Sequence, residues 1–261
     1  MSEKPNNERP ADLAVQDSVG GMAKRLLNPA HLSDLARRSA ATLKEQGAEQ
    51  LWRDVTFRVG LAFHHDSWQH RADLPLRREL KAQRAGYEDG KPGSVVSVVV
   101  PLYNTPEKFF GQMLASVQQQ TYPHWQLVLV DASDAAHAAF STHASKAAAK
   151  DPRILYKKVE NGGIAANTTA GFALATGTYI ALLDHDDVLY PNALYEVVQC
   201  MQKTGADFVY TDEIVLSGNL KELGGYHFKP DYSPDYLRSC NYITHLMVFA
   251  RELLAKAGAE E

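Results

Sequence analysis

Cysteine is nearly missing from this chain: Cys200 and Cys240 are the only two in 261 residues. Their spacing offers neither a disulfide framework nor a thiolate zinc site. Long apolar runs are missing too, since segments such as VVSVVVPLY (95–103) fall far short of the ~20 residues a spanning helix needs. The opening MSEKPNNERPADLAVQD has no apolar core of a secretory leader. Together these absences predict a reduced, cytoplasmic protein. Positive charge is not in excess: the net charge is -4, with the acidic surplus after residue 90, so no nucleic-acid partner is expected. The basic pairs Lys24-Arg25 and Arg37-Arg38 flank apolar positions and leave room for peripheral association with the inner face of a membrane. A solvated helix face has the same pattern and is the default reading. Glycine-rich phosphate loops are also lacking. No GxGxxG follows the first predicted strand and no GxxxxGK[ST] occurs, which removes dinucleotide and P-loop nucleotide cradling.

Residues 1–20, rich in Pro, Asn and charge, read as a disordered lead-in. From 21 to about 90 the apolar spacing is helical, with Leu32, Leu35 and Ala36 on one face and Leu51, Val55 and Val59 on another. Gly47, Pro75 and Gly86 are breaks within it, and YEDGKPGS (87–94) is a linker. Beyond it, residues 91–261 alternate short apolar runs with helical patterns. Strands are predicted at 95–101, 125–131, 153–159, 178–184 and 207–211. Helices are predicted between them, one with Phe109, Met113 and Val117 inward and a later one with Leu194, Val197, Val198 and Met201 inward. That alternation means right-handed βαβ crossovers and an α/β domain with a mostly parallel, Rossmann-like sheet. After 212 the pattern loosens into YHF, a turn and helix at KPDYSPDYL, and a strand within YITHLMVFA.

Ligands of open parallel sheets bind beyond the carboxyl ends of the strands. Those ends carry Pro101-Leu102-Tyr103-Asn104, Asp131-Ala132-Ser133-Asp134, Glu160-Asn161-Gly162-Gly163 and Asp184-His185-Asp186-Asp187. Carboxylates so close repel one another unless a cation sits among them, and a hard divalent ion, Mn²⁺ or Mg²⁺, clamping a diphosphate meets that need. A calcium loop is excluded, because Leu189 and Tyr195 stand where its turn glycine and bidentate glutamate belong. Two other readings stay open: a solvated acidic loop, and a haloacid-dehalogenase-like phosphatase, whose strand–Asp–x–Asp pattern LLDHDDV imitates.

Taken in order, VSVVVPLYNTPEKFFGQMLASVQQQTYPHWQLVLVDASD and ENGGIAANTTAGFALATGTYIALLDHDDVLYPNAL resemble the family 2 glycosyltransferases of GT-A fold over roughly 95–205. The run YTDE…YHFKPDYSPDYLRSCNYITHLMVFARELL is similar to the branch that builds bacterial surface polysaccharides, lipopolysaccharide O-chains among them. The resemblance implies a metal-dependent, inverting transfer of a hexosyl or deoxyhexosyl unit. The donor is a UDP- or dTDP-linked sugar and the acceptor a growing glycan or lipid-linked saccharide. It assigns Pro101, Tyr103 and Asn104 to the base pocket, Asp131 to a hydrogen bond with the base, Asn161 to the ribose and base, and Asp184 to the ribose. Asp186 would hold the metal, with Asp187 helping. Members carry an acidic general base in a later motif, but this chain stops at ELLAKAGAEE, so its GT-A domain is expected to be cut short of that motif. Asp212 and Glu213 are the acids left for the role. A nucleotide-sugar-binding module without catalysis is the alternative.

The remaining candidates are read conservatively. His245 is weighed as an acceptor-side group or metal ligand against a core histidine on a buried strand, and the core reading leads. His185 alternates away from its neighbours and is taken as packing. His64, His65 and His70 lack the i, i+4 pairing of a zinc helix. Lys229 and Arg238 are taken as surface cations, Asn167-Thr168-Thr169 as an idle sequon and Cys200 as inert core.

Overall fold

A computed structural model describes residues 29–63, 77–87, 93–220 and 223–258. The expected lead-in at 1–20, the pair Lys24-Arg25, the histidines at 64, 65 and 70 and most of the linker at 87–94 lie outside the described residues. The chain divides into two compact units, residues 1–72 and 73–261.

In the first unit, helix α1 (Pro29–Phe63) is interrupted at Gly47, whose φ of 86° and ψ of 173° take the backbone out of the helix. A side chain there would be strained, so glycine makes the break predicted at this position.

The second unit begins before the linker. Helix α2 (Arg77–Ala85), grouped by sequence with the N-terminal helices, is bound to the sheet domain: Arg84 donates to the Gln119 carbonyl at 2.8 Å and Thr121 donates to Gln83 at 2.9 Å. The strands are β1 (Val96–Leu102), β2 (Trp125–Asp131), β3 (Ile154–Lys158), β4 (Tyr179–Leu182), β5 (Phe208–Tyr210), β6 (Glu213–Leu216), β7 (Leu223–His227) and β8 (Met247–Ala250). Helices α3 (Glu107–Gln118), α4 (Ala138–Ala148), α5 (Ile164–Leu174) and α6 (Ala193–Thr204) fill the crossovers. Short helices α7 (Pro234–Ser239) and α8 (Leu253–Ala257) flank β8. The main sheet has six strands in the order β3-β2-β1-β4-β8-β5. β1 to β4 are mutually parallel, while β8 is antiparallel to both β4 and β5 and lies between them. β6 and β7 form a separate hairpin.

Strand periodicity builds two cores. Val96, Val98, Val100 and Leu102 of β1 point to one face with Leu127 and Leu129 of β2, beneath α3, α4 and α6. Val99, Val128, Val130 and Ile180 point to the other, with Phe249 and Leu254. On α3 the buried set is Phe110, Met113 and Val117 rather than one beginning at Phe109, because i, i+3, i+7 spacing closes on Phe110. The inward residues of α6 are those predicted, Leu194, Val197, Val198 and Met201. Cys200, next to Met201, turns outward and is exposed, so the expectation of a core cysteine is corrected.

Candidate functional site

The rim is assembled where β1, β2, β3 and β4 end. Asn104, just beyond β1, has a positive φ of 50°, and its amide donates to the Ser133 hydroxyl at 2.9 Å. Its side-chain amide donates to Asp134 at 3.0 Å, and the Asp134 main-chain N–H returns a bond to Asn104 Oδ1 at 3.1 Å. Asp134 also accepts from His137, and these hydrogen bonds hold its carboxyl below the usual range. With the two loops tied this way, Tyr103 stands half exposed on the rim.

Asp131 closes β2 from inside. Its carboxylate is fully buried, accepts from Ser141 at 2.5 Å, Tyr156 at 2.7 Å and the Ser133 N–H at 2.9 Å, and lies 3.3 Å from the Lys158 ammonium. Burial alone would raise its pKa, but the hydroxyl and amide donors outweigh it and bring the group to about 2. In this structure the carboxylate braces the end of β2 and presents no oxygen to solvent. Lys158 links the β3 end to β2 by donating to the Ser133 carbonyl at 2.5 Å.

After β3 the chain passes Asn161-Gly162-Gly163 and enters α5 with Gly163 at φ 86°. Asn161 Oδ1 accepts from the Gly163 N–H at 3.0 Å and from the buried Asn167 side chain at 3.1 Å, while Asn167 Oδ1 accepts from the Gly162 N–H at 3.2 Å. Asn167, dismissed as part of a sequon, is the bracket that shapes this loop.

The acidic loop after β4 meets the entry to β8. Leu182 pairs with Met247 across the antiparallel ladder, so Asp184 and His245, each two residues further out, face one another. Ligand atoms of Asp184, Asp187 and His245 lie within 4.8 Å of one another, with the imidazole Nδ1 3.6 Å from each carboxylate. Burial raises the Asp187 pKa, the acids Asp184, Asp186 and Glu213 raise it further, and only His245 opposes them. Asp186, named by sequence as the principal metal ligand, lies outside this group; it is 57% exposed and its nearest partner is His185, at 3.7 Å. His245 precedes the strand and is partly exposed, so the core-histidine reading is corrected.

On the far side of β8, Tyr210 of β5 also pairs with Met247, bringing Asp212 and Glu213 toward His245. Glu213 is closed in: Oε1 meets His227 at 2.6 Å, and Oε2 accepts the His245 N–H at 2.7 Å and lies 3.6 Å from Lys229. Although burial pushes the Glu213 pKa up, His227, the His245 amide and Lys229 hold it below the ordinary value. A carboxylate so satisfied is a poor free base. Asp212 Oδ1 accepts the Lys229 N–H at 2.7 Å. The Lys229 side chain is only 1% exposed, which corrects its reading as a surface cation; Arg238 is the exposed cation expected, paired with Asp235 at 3.1 Å.

Residues 97–254 match the description "Glycosyl transferase family 2", more than half of the chain. The chain belongs to that family. The family 2 match covers β1 through β8, so the acidic loop and His245 both fall inside it. The phosphatase reading is thereby set aside. Relatives include the uncharacterized protein y4gI of Sinorhizobium fredii, 39% identical over 171 residues, spanning 64% of this chain and 18% of that protein. The O-antigen biosynthesis protein RfbC of Myxococcus xanthus is 37% identical over 167 residues, 63% of this chain and 13% of that one. The chain thus spans less than a fifth of the length of these two relatives. Among solved structures, S. aureus TarS 1–349 in complex with UDP-GlcNAc aligns with a TM-score of 0.50 at 15% identity, over 62% of this chain and 47% of that one. At that identity the likeness shows the fold, an α/β domain of GT-A type. Among the described residues no helix is long and apolar enough to cross a membrane.

The residues missed in the sequence of this family 2 domain are those that brace the site: Ser141, Tyr156 and Lys158 around Asp131, and Asn167 behind Asn161. One signal was readable. Tyr156 and Lys158 alternate on β3 toward the β2 end, but hydroxyls and ammonium groups on an edge strand pass for solvated residues.

Proposed function

We propose that this domain transfers a hexosyl or deoxyhexosyl unit from a UDP- or dTDP-linked sugar to a growing cell-surface glycan or lipid-linked acceptor, with inversion and with a divalent cation, Mn²⁺ or Mg²⁺. The observation that carries it is the convergence of Asp184, Asp187 and His245 on the rim that also presents Tyr103 and Asn104, in a chain of family 2. The O-antigen name of the Myxococcus relative supports the surface-glycan acceptor.

The donor set fits the ion. Two carboxylates and one imidazole suit Mn²⁺ and tolerate Mg²⁺. Burial first, and the neighbouring acids after it, raise the Asp187 pKa, and a cation in the group would offset both. When bound, the cation neutralises charge on a departing diphosphate. The protein's own groups do the rest. In this reading the half-exposed ring of Tyr103 takes the base, Pro101 and Asn104 line its pocket with Asp131, and Asn161 serves the ribose and base. On the same reading Asp184 serves the ribose as well as the cation, and the exposed Asp186 is left to the diphosphate. An acceptor hydroxyl attacking opposite the leaving group needs a proton acceptor. With Glu213 enclosed, that role falls to Asp212, whose Oδ2 has no hydrogen-bond partner among the described residues.

Calorimetric titration of the full chain with UDP, dTDP and GDP, each with Mn²⁺ and then with chelator, tests the reading. Metal-dependent binding of UDP or dTDP is expected; no binding of any nucleotide would overturn it. The enclosure of Glu213 favours a second reading, a nucleotide-sugar-binding module without catalysis. Release of UDP or dTDP from a donor sugar on addition of an acceptor saccharide rejects that module, whereas binding without release supports it.

A further inference from the structure

We propose that Glu213 and Lys229 are positioning residues: they clamp the main chain at His245 and so aim its imidazole at Asp184 and Asp187. This deepens the reading above and rests on its cation site.

The His245 N–H donates to Glu213 Oε2 at 2.7 Å, and the His245 carbonyl accepts from Lys229 Nζ at 3.0 Å. Both polar groups of one residue's backbone are thus held by two side chains that lie 3.6 Å from each other. The next residue is held as well: Leu246 N–H donates to Thr211 Oγ1 at 3.1 Å and its carbonyl accepts the Thr211 N–H at 3.0 Å. Behind the clamp, Asp212 takes the Lys229 N–H at 2.7 Å and His227 pins the second Glu213 oxygen at 2.6 Å.

Burying an ammonium and a carboxylate is a weak source of stability, because desolvation offsets their attraction. Lys229 illustrates the cost: burial depresses its pKa and Glu213 only partly restores it. What the pair does achieve is orientation. His245 sits in an irregular segment before β8, where no ladder hydrogen bond fixes its amide or carbonyl. Without the clamp its ring would be free to leave the two carboxylates, which lie at 3.6 Å without a direct hydrogen bond to hold it. Groups that orient a metal-binding histidine without touching the metal are worth about 10–100-fold in metal affinity.

The test uses the full chain without donor, reading Mn²⁺ affinity by electron paramagnetic resonance, the His245 ring by long-range proton–nitrogen NMR without metal, and melting temperature. Glu213→Ala and Lys229→Met are expected to weaken Mn²⁺ binding about tenfold or more and to broaden or shift the His245 ring signals, although every ligand is retained. Glu213→Gln, which keeps an acceptor for the His245 N–H, should recover part of the affinity. Gly171→Ala, a destabilised control in α5, should leave Mn²⁺ affinity unchanged. If the Ala or Met variant fails to fold, Glu213→Gln and Lys229→Arg carry the same test with a shift of about threefold, short of the ~10–100-fold of a lost outer-shell group because each keeps a hydrogen-bonding group in the clamp. Folded clamp variants that bind Mn²⁺ within about twofold of the unaltered chain, well under an outer-shell effect, would overturn the clamp alone. Absence of Mn²⁺ binding in the unaltered chain would overturn the cation site and the clamp together.

Discussion

Asn104 and Asp134 hydrogen-bond to each other in both directions, at 3.0 and 3.1 Å, and so lock the loop after β1 to the loop after β2. That lock leaves the ring of Tyr103 presented rather than packed. Tyr103→Ala should therefore weaken nucleotide binding about tenfold, the worth of one aromatic stack of ~1.5 kcal/mol. The melting temperature should not move, since a half-exposed ring contributes little to the core. Calorimetry and a thermal melt on the same variant decide it; equal affinity in mutant and parent would remove Tyr103 from the site.

Asp131 makes stability depend on acid. Its folded pKa, about 2, lies below the ordinary value of 3.8, so its contribution is present above 3.8 and is lost as pH falls from there through 2. The shift amounts to ~2 kcal/mol at neutral pH, with roughly half remaining at pH 3. Asp131→Asn should lower the urea unfolding free energy by that amount at pH 7, and the gap between parent and variant should close toward pH 2. A gap that stays constant with pH would show that the donors around Asp131 do not favour its ionised form.

The proposed cation site ranks its three convergent side chains. His245→Ala and Asp187→Asn should each reduce Mn²⁺ affinity of the donor-free chain about tenfold or more, as loss of one ligand in three does. Asp186→Asn, outside the group, should change it by less than about threefold, within the range of a nearby exposed charge. The reverse order would return the principal ligand to Asp186.

Gly171 marks the closest approach of α5 to the sheet, where an added Cβ would collide with Val99 and come within 3.2 Å of Val130. Gly171→Ala gains helix propensity but forces the helix off β1 and β2, so a net loss of about 1–3 kcal/mol is expected in chemical unfolding. An unchanged or higher stability would mean that α5 shifts freely on the sheet.

The first four strands and the helices between them were legible because their signals are local. Val96 to Leu102 or Leu194 to Met201 carry their period within one or two turns of chain. The placement of β8 was not, because a short apolar run does not say which strands it will pair with. The misread residues follow from that gap. Only the pairing of Met247 with both Leu182 and Tyr210 turns His245 from a core residue into a rim residue, encloses Glu213 and buries Lys229. Asp184 and Asp187 could be singled out in the sequence because clustered acid beside an apolar strand is costly wherever it folds. The braces Tyr156, Ser141 and Asn167 were passed over because nothing in their own neighbourhood marks them as partners.

The antiparallel insertion of β8 has a consequence for the order of events in folding. β1, β2, β3 and β4 can pair through crossovers of modest length, but the cluster of Asp184, Asp187 and His245 joins the end of β4 to the entry of β8 across a long stretch of chain that holds α6, β5, the β6–β7 hairpin and α7. Contacts so distant in sequence are slow to form. At the proposed cation site, capture of Mn²⁺ during refolding is expected to lag the pairing of β1 to β4, because it needs β8 seated between β4 and β5.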